Sequence, residues 1–221
     1  LDELVSTINS KKIFKSKFKA SLKDKDQAII AEIKKASPSA GVISESFDPV
    51  TKAKEYEAFG ASALSILTEE DYFLGSTQYL KDVKKTSKLP ILRKDFIVDI
   101  YQIYESKLIG SDCILLIASI LSDDELNDFT QLADTLGLDY IIEVHNEDEL
   151  KRVQDFSEAI IGVNNRDLKS FTVDIENSIR LKQLFNQDNL FVAESGIKGQ
   201  SDINKLLQHG INIFLIGESL M

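Results

Sequence analysis

Cysteine and histidine are nearly missing from this chain of 221 residues, which holds one cysteine, Cys113, and two histidines, His145 and His209. One cysteine excludes a disulfide within the chain, and its place inside Cys113-Ile114-Leu115-Leu116-Ile117 reads as a buried, inert thiol rather than a nucleophile. Two isolated histidines, with no cysteine at ligand spacing, argue against a zinc centre, and no metal is expected. Long apolar runs are lacking too. None approaches the ~20 residues of a bilayer span, and no basic-then-apolar leader opens the chain, so the expected setting is the cytoplasm with no membrane partner. Positive charge is outnumbered, 26 Lys and Arg against 36 Asp and Glu, and the net −10 argues against a nucleic-acid partner. An anionic substrate would have to be drawn by local cations rather than by the molecule as a whole.

What is present is regular. A composition of 43% hydrophobic and 28% charged residues is that of a globular domain, and the length suits one α/β barrel. Apolar, β-branched runs fall at roughly 28–33, 61–67, 90–94, 112–117, 139–144, 159–163, 190–193 and 212–216, which makes eight. Amphipathic segments with helix punctuation lie between them. Ser122-Asp123-Asp124-Glu125 reads as a capping box, followed by Leu126, Phe129, Leu132 and Leu136 at helical spacing, and Asp48-Pro49 reads as a cap followed by a first-turn proline. Gly60, Gly110, Gly137 and Gly210 each sit where a helix should end before the next strand. Eight buried strands alternating with helices predict a single (β/α)8 TIM barrel over residues 28–221, in preference to an open doubly wound sheet. Residues 1–27, with Leu4, Phe14, Phe18 and Leu22, predict an N-terminal extension of one or two helices. The helix expected after the eighth strand is missing, and the chain opens on Leu, so the sequence reads as a piece of a longer product.

Barrel enzymes carry their sites at the C-terminal ends of the strands, and here those ends are chemical. The first ends in Glu32 and Lys34, the third in Arg93-Lys94-Asp95 and the fifth in Glu143. The sixth ends in Asn164-Asn165-Arg166-Asp167, the seventh in Glu194-Ser195-Gly196 and the eighth in Gly217-Glu218-Ser219. Glu32 and Lys34 share a face of a strand that should be buried, where unpaired charge is costly. Asp95 or Glu218 alone would read as a charge facing water, and His145 as a strand-end histidine making a structural hydrogen bond. Glycine-bearing turns after the last two strands suit a phosphate cradle, since backbone N–H groups there can approach an anion. The segment 68–76, with Tyr72, Phe73 and Gly75, predicts a loop able to close over an aromatic substrate.

Read together, Ile30-Ala31-Glu32-Ile33-Lys34-Lys35-Ala36-Ser37-Pro38-Ser39, Ile91-Leu92-Arg93-Lys94-Asp95-Phe96, Ile142-Glu143-Val144-His145, Ile161 to Leu168, Val192-Ala193-Glu194-Ser195-Gly196-Ile197 and Leu215 to Met221 resemble the motif series of the indole-3-glycerol phosphate synthases. The series runs in order from about residue 28 to the chain end; the N-terminal extension looks shorter than is usual in that family. The resemblance implies closure of 1-(2-carboxyphenylamino)-1-deoxyribulose 5-phosphate to indole-3-glycerol phosphate, with loss of carbon dioxide and water, in tryptophan biosynthesis. It implies that Lys94 is the acid for ring closure, its pKa lowered by nearby cations, and that Glu143 leads the acid–base work of dehydration, with Glu32 and Lys34 taking part or positioning substrate. Asn164 and Glu194 would hold polar groups of the substrate, and Arg166 would meet its carboxylate. Lys34, Ser37, Ser195, Gly196, Gly217 and Glu218 match phosphate- and substrate-binding positions. Phe73, Phe96, Leu115, Ile117 and Leu215 would seat the aromatic ring. No cofactor is implied, the partner is a small anionic substrate, and a monomer is expected, with fusion to or association with other tryptophan-pathway enzymes left open. Phosphoribosylanthranilate isomerase would call for a Cys and Asp pair, and a sugar-phosphate epimerase for histidines at several strand ends. Neither is found, which leaves a non-catalytic barrel as the remaining alternative.

Overall fold

The computed structural model describes residues 1–9, 13–38, 41–43, 46–167, 170 and 172–221. Eight parallel strands close a barrel: β1 (Ala28–Ile33), β4 (Ala63–Leu67), β5 (Ile91–Lys94), β6 (Cys113–Ile117), β7 (Asp139–Val144), β8 (Ile160–Asn164), β9 (Phe191–Glu194) and β10 (Ile213–Ile216), with β1 pairing both β4 and β10. All eight apolar runs are strands. Several begin a residue or two late, because opening residues of the run, such as Ala61 with its N–H on the Tyr56 carbonyl, complete the turn from the preceding helix.

Strand alternation divides the core in two. On β6, Cys113, Leu115 and Ile117 join the cluster inside the barrel, whereas Ile114 and Leu116 pack outward under the helices. The outer ring comprises α3 (Pro49–Ala58), α4 (Thr77–Thr86), α5 (Ile100–Ile109), α6 (Asp123–Thr135), α7 (Glu147–Val153), α8 (Glu176–Leu184) and α9 (Gln200–Gln208). Their punctuation follows the sequence. The Asp48 carboxylate accepts the Val50 and Thr51 N–H groups at 3.0 and 3.2 Å, and Ser122 with Glu125 forms a reciprocal capping box. Gly60, Gly110, Gly137 and Gly210 all have φ between 63° and 96°.

Two helices precede the barrel, α1 (Asp2–Asn9) and α2 (Phe18–Leu22). The short α2 closes the N-terminal end of the barrel. Phe18 and Leu22 are fully buried in the interior cluster, and the Lys19 N–H donates to Asp139 at the start of β7 at 2.8 Å. A feature the sequence reading did not anticipate follows β1, where β2 (Ala36–Ser37) and β3 (Gly41–Val42) form an antiparallel ribbon. With two residues per strand, it is too short to show any periodicity. Ser39 and Leu168 of the quoted motifs lie outside the described residues. Beyond β10, the Leu220 and Met221 N–H groups both donate to the Gly217 carbonyl, making one turn.

Phe18 fills the base of the barrel, so Phe18→Ala should destabilise the fold by about 3–5 kcal/mol, read by urea unfolding. A loss below about 1 kcal/mol would remove α2 from its structural role.

Candidate active site

Following the register around the barrel, Glu32 on β1, Lys94 on β5, Glu143 on β7 and Glu194 on β9 fall in one layer of inward-facing side chains, drawn from alternate strands as barrel layers are. The layer beneath is Ser65, Leu115, Gly162 and Leu215; the one above is Leu67, Ile117, Asn164 and Gly217. A cavity of about 410 Å3 opens above this charged layer at the C-terminal mouth of the barrel.

Each charge in the layer has a counter-charge. Lys94 Nζ lies 3.0 Å from Glu143 Oε2 and 2.5 Å from Glu194 Oε2, and Lys34 Nζ lies 2.7 Å from Glu32 Oε1. Burial alone would favour a neutral Lys94, but Glu143, Glu194 and Glu32 outweigh it and hold its pKa well above the ordinary lysine value. The expected lowering by nearby cations is therefore wrong in sign: the neighbours within reach are carboxylates, and Lys94 is an ammonium. Burial likewise pushes Glu143 up, but Lys94, His145 and Asn164 together pull it well below the usual carboxylate range. Glu194 goes the other way. Burial and the repulsion of Glu143 and Glu32 exceed the help from Lys94, and its pKa is pushed up to about 7. Two carboxylates on one ammonium thus divide into one held ionised and one poised to carry a proton.

Two glycines make room for these carboxylates. A Cβ on Gly162 would lie 2.3 Å from Glu194 Oε1, and one on Gly217 would lie 2.5 Å from Glu32 Oε1. Gly162 went unnoticed in the sequence, although its place inside a strand marks a close approach. Gly217, expected to open backbone N–H groups to an anion, is also required by Glu32. Gly196 has φ 79°, and a Cβ there would meet Val173 Cγ1 at 2.3 Å.

Above the layer, Asn164 is a hub. Its Nδ2 donates to Glu143 Oε1 at 3.1 Å, and its Oδ1 accepts the Arg166 N–H and the Ser195 hydroxyl at 3.0 and 2.8 Å. Ser195, with φ 67°, is one of the few non-glycine residues in the left-handed region. Ser37, Phe73, Phe96, Ile117, Arg166, Ser195, Gly196 and Glu218 line the cavity wall and rim, with Leu115 and Leu215 at its apolar floor. Phe73 and Phe96 face each other at the mouth with ring centroids 6.3 Å apart. Arg166 Nη2 stands 3.6 Å from Glu218 Oε2, and Glu218 is largely exposed, as expected for a rim charge.

Three readings change. Asp95 does not face water: its carboxylate takes Arg93 Nη2 at 2.9 Å and the Thr68 hydroxyl at 2.6 Å, with the side chain only 11% exposed. Arg93 points out of the barrel into the helical shell, also reaching Glu105 at 2.8 Å, so it braces β5 and is not a site cation. Gly75 is not a loose hinge. Its N–H donates to the Glu69 carbonyl at 2.7 Å and a Cβ would strike the Leu67 and Glu69 backbone, while the Glu69 carboxylate accepts the Asp71, Tyr72 and Phe73 N–H groups. The 69–75 loop is braced at the rim, with Tyr72 exposed.

The sequence matches the family profile "Indole-3-glycerol phosphate synthase" across residues 1–221. The chain belongs to the indole-3-glycerol phosphate synthase family. It is 54% identical over 204 residues to the indole-3-glycerol phosphate synthase of Ruminiclostridium cellulolyticum, covering 92% of this chain and 78% of that one. It is 50% identical over 221 residues to the Clostridium acetobutylicum enzyme of the same name, covering all of this chain and 84% of that one. Among solved structures, the fold is similar to a tryptophan synthase alpha-subunit from Pyrococcus furiosus (TM-score 0.66, 16% identity, 87% of each chain). It is also similar to the N-acetylmannosamine-6-phosphate 2-epimerase of Clostridium perfringens (TM-score 0.62, 14% identity, 88% of this chain and 87% of that one). At such identities these two speak for the barrel alone. Among the described residues, no helix is long and apolar enough to cross a membrane.

The raised Glu194 pKa carries a sign for stability. A carboxyl group whose folded pKa lies above its unfolded value stabilises the fold when protonated, and that contribution is lost as pH rises through about 7. Glu194→Gln, which mimics the protonated group, should therefore gain melting temperature over the parent between pH 5 and pH 8.5. A difference that does not change with pH would contradict the assignment.

Proposed function

We propose that Lys94 protonates the ketone oxygen of 1-(2-carboxyphenylamino)-1-deoxyribulose 5-phosphate as the new ring bond forms, and that Glu143 handles the proton transfers of dehydration. The chain is a carbon–carbon lyase of tryptophan biosynthesis, and its reaction yields indole-3-glycerol phosphate, carbon dioxide and water. The observation that carries the residue roles is the buried Lys94 ammonium, held protonated at the cavity floor between two carboxylates. A proton donor must hold its proton until the acceptor arrives. The paired carboxylates do this, and a substrate oxygen that gains negative charge as the bond forms becomes the better acceptor.

The remaining roles follow from position around the cavity. Phe73 and Phe96 at the mouth, Ile117 on the wall, and Leu115 and Leu215 at the floor supply apolar surface for the anthranilate ring. Arg166 suits the ring carboxylate, since a guanidinium matches a carboxylate with two parallel hydrogen bonds. On the β9 and β10 side, Ser195, Gly196, Gly217 and Glu218, the last through its backbone N–H, suit the phosphate, with Lys34 and Ser37 completing that side. Glu32, paired with Lys34 beneath Gly217, positions that lysine. The reading extends to a cytoplasmic monomer open to association with other enzymes of its pathway, and the biosynthetic role supports the cytoplasmic setting.

Lys94→Ala should lower kcat by about 10²- to 10⁴-fold, the scale of a positioned acid, measured by the ultraviolet absorbance of the indole product. Turnover near that of the parent protein would remove Lys94 from this role.

A further inference from the structure

His145 is a partly buried titratable group outside the cavity wall, and the proposed chemistry does not use it. It follows β7 two residues after Glu143, so both side chains leave the same face. Its Nε2 lies 3.3 Å from Glu143 Oε1, within ion-pair range though not aligned as a hydrogen bond, and no other partner reaches that buried nitrogen among the described residues. Its Nδ1 lies 3.1 Å from Glu149 Oε2. Glu149 is itself held: Oε2 accepts the His145 backbone N–H at 2.8 Å, and Oε1 accepts Asn146 Nδ2 at 2.6 Å. A ring with a carboxylate at each nitrogen needs two N–H groups, and only the imidazolium has both.

We propose that His145, clamped between Glu143 and Glu149, is a positioning residue that fixes the Glu143 carboxylate and keeps it ionised while Lys94 gives up its proton. This rests on the reading of Glu143 as the proton-transfer carboxylate. When the Lys94 proton moves to the substrate's ketone oxygen, the lysine becomes a neutral amine and no longer balances Glu143. The imidazolium remains as its counter-charge, so Glu143 is still a carboxylate when dehydration needs a base. Burial opposes the charge on His145, but the attraction of Glu143 and Glu149, together with the Glu149 hydrogen bond, prevails and pushes its pKa up to about 9. The charged groups facing it are Glu143 on β7, with Lys94 of β5 behind it, and Glu149 on α7. From α8 comes an uncharged group, Asn177, whose Nδ2 donates to the His145 carbonyl at 3.0 Å.

The test combines titration with kinetics. With two histidines in the chain, the imidazole NMR signals are separable, and the one lost in His145→Gln is its own. In the parent protein this ring should be charged at pH 7 and titrate near 9; a neutral ring at pH 7 overturns the proposal, whether or not any variant folds. His145→Gln should lower kcat about tenfold or more, leave KM within about twofold, and move the acidic limb of the kcat profile up by about one pH unit, because losing a neighbouring cation raises a carboxylate's pKa. Glu149→Gln should shift the limb in the same direction by less. A lower melting temperature with the limb unmoved would mark His145 as merely structural and overturn the proposal. Glu143→Gln separates the two readings: if it keeps turnover, the role of Glu143 itself falls and this inference with it. If it abolishes turnover while His145→Gln leaves the limb in place, only the His145 inference falls.

Discussion

One ammonium group between two carboxylates organises this molecule. Lys94, Glu143 and Glu194 are buried together inside a barrel whose remaining inner surface is largely aliphatic, and each would be strongly disfavoured there alone. Their mutual contacts make the cluster tolerable without making it comfortable. With Glu32 in the same layer there are more carboxylates than ammonium groups, and the excess is met from outside the layer by Lys34 and His145. Glu194, the least well compensated, responds by holding its proton more tightly. The same imbalance that weakens the fold near neutral pH leaves the layer with groups at different stages of ionisation, which a reaction combining proton donation with proton removal requires.

The layers on either side are shaped by this charge. Leu115 and Leu215 exclude water from below, while Ser65 and Gly162 complete that layer without crowding the carboxylates. Above, Asn164 links Glu143 to the turns carrying Arg166 and Ser195, so that carboxylate and the turns at the cavity rim share one side chain as a reference point. The helical shell contributes at a distance. Glu149, at the start of α7, anchors His145 through both backbone and ring, and the contact sets the orientation of a charge that reaches the interior.

Much of this was legible in the sequence because two periodicities carry it. Runs of β-branched residues marked every barrel strand, six of them ending in polar or charged groups, and caps such as Ser122-Glu125 and Gly110 marked the helices between them. The site residues gather around one cavity because strand ends converge in a closed barrel. What stayed hidden depended on distances between strands. Nothing local in Lys94 says whether its neighbours across the barrel are cations or anions, so the direction of its pKa could not be read. Nor could Asp95 be told from a solvated terminus without knowing that Arg93 turns outward beside it. Gly162 drew no notice within its strand and is the space in which Glu194 sits. The Glu149 contact was invisible for a further reason: a helix N-terminus rich in Glu and Asp is ordinary, and nothing in its composition singles out the one that turns inward.

Arg93, Lys94 and Asp95 are consecutive and alternate outward, inward, outward, so the outer salt bridges and the inner ammonium belong to one rigid frame. Slipping β5 by a single residue would exchange the two faces, sending Lys94 into the helical shell and exposing a guanidinium to the cavity. The Arg93 contacts with Thr68, Glu105 and Asp95 therefore act as a phase lock for the strand. Sequence drift in α5, well away from any substrate, is constrained by the need to present the correct cation, since a misphased strand would keep its hydrophobicity and its hydrogen bonds and lose only its chemistry.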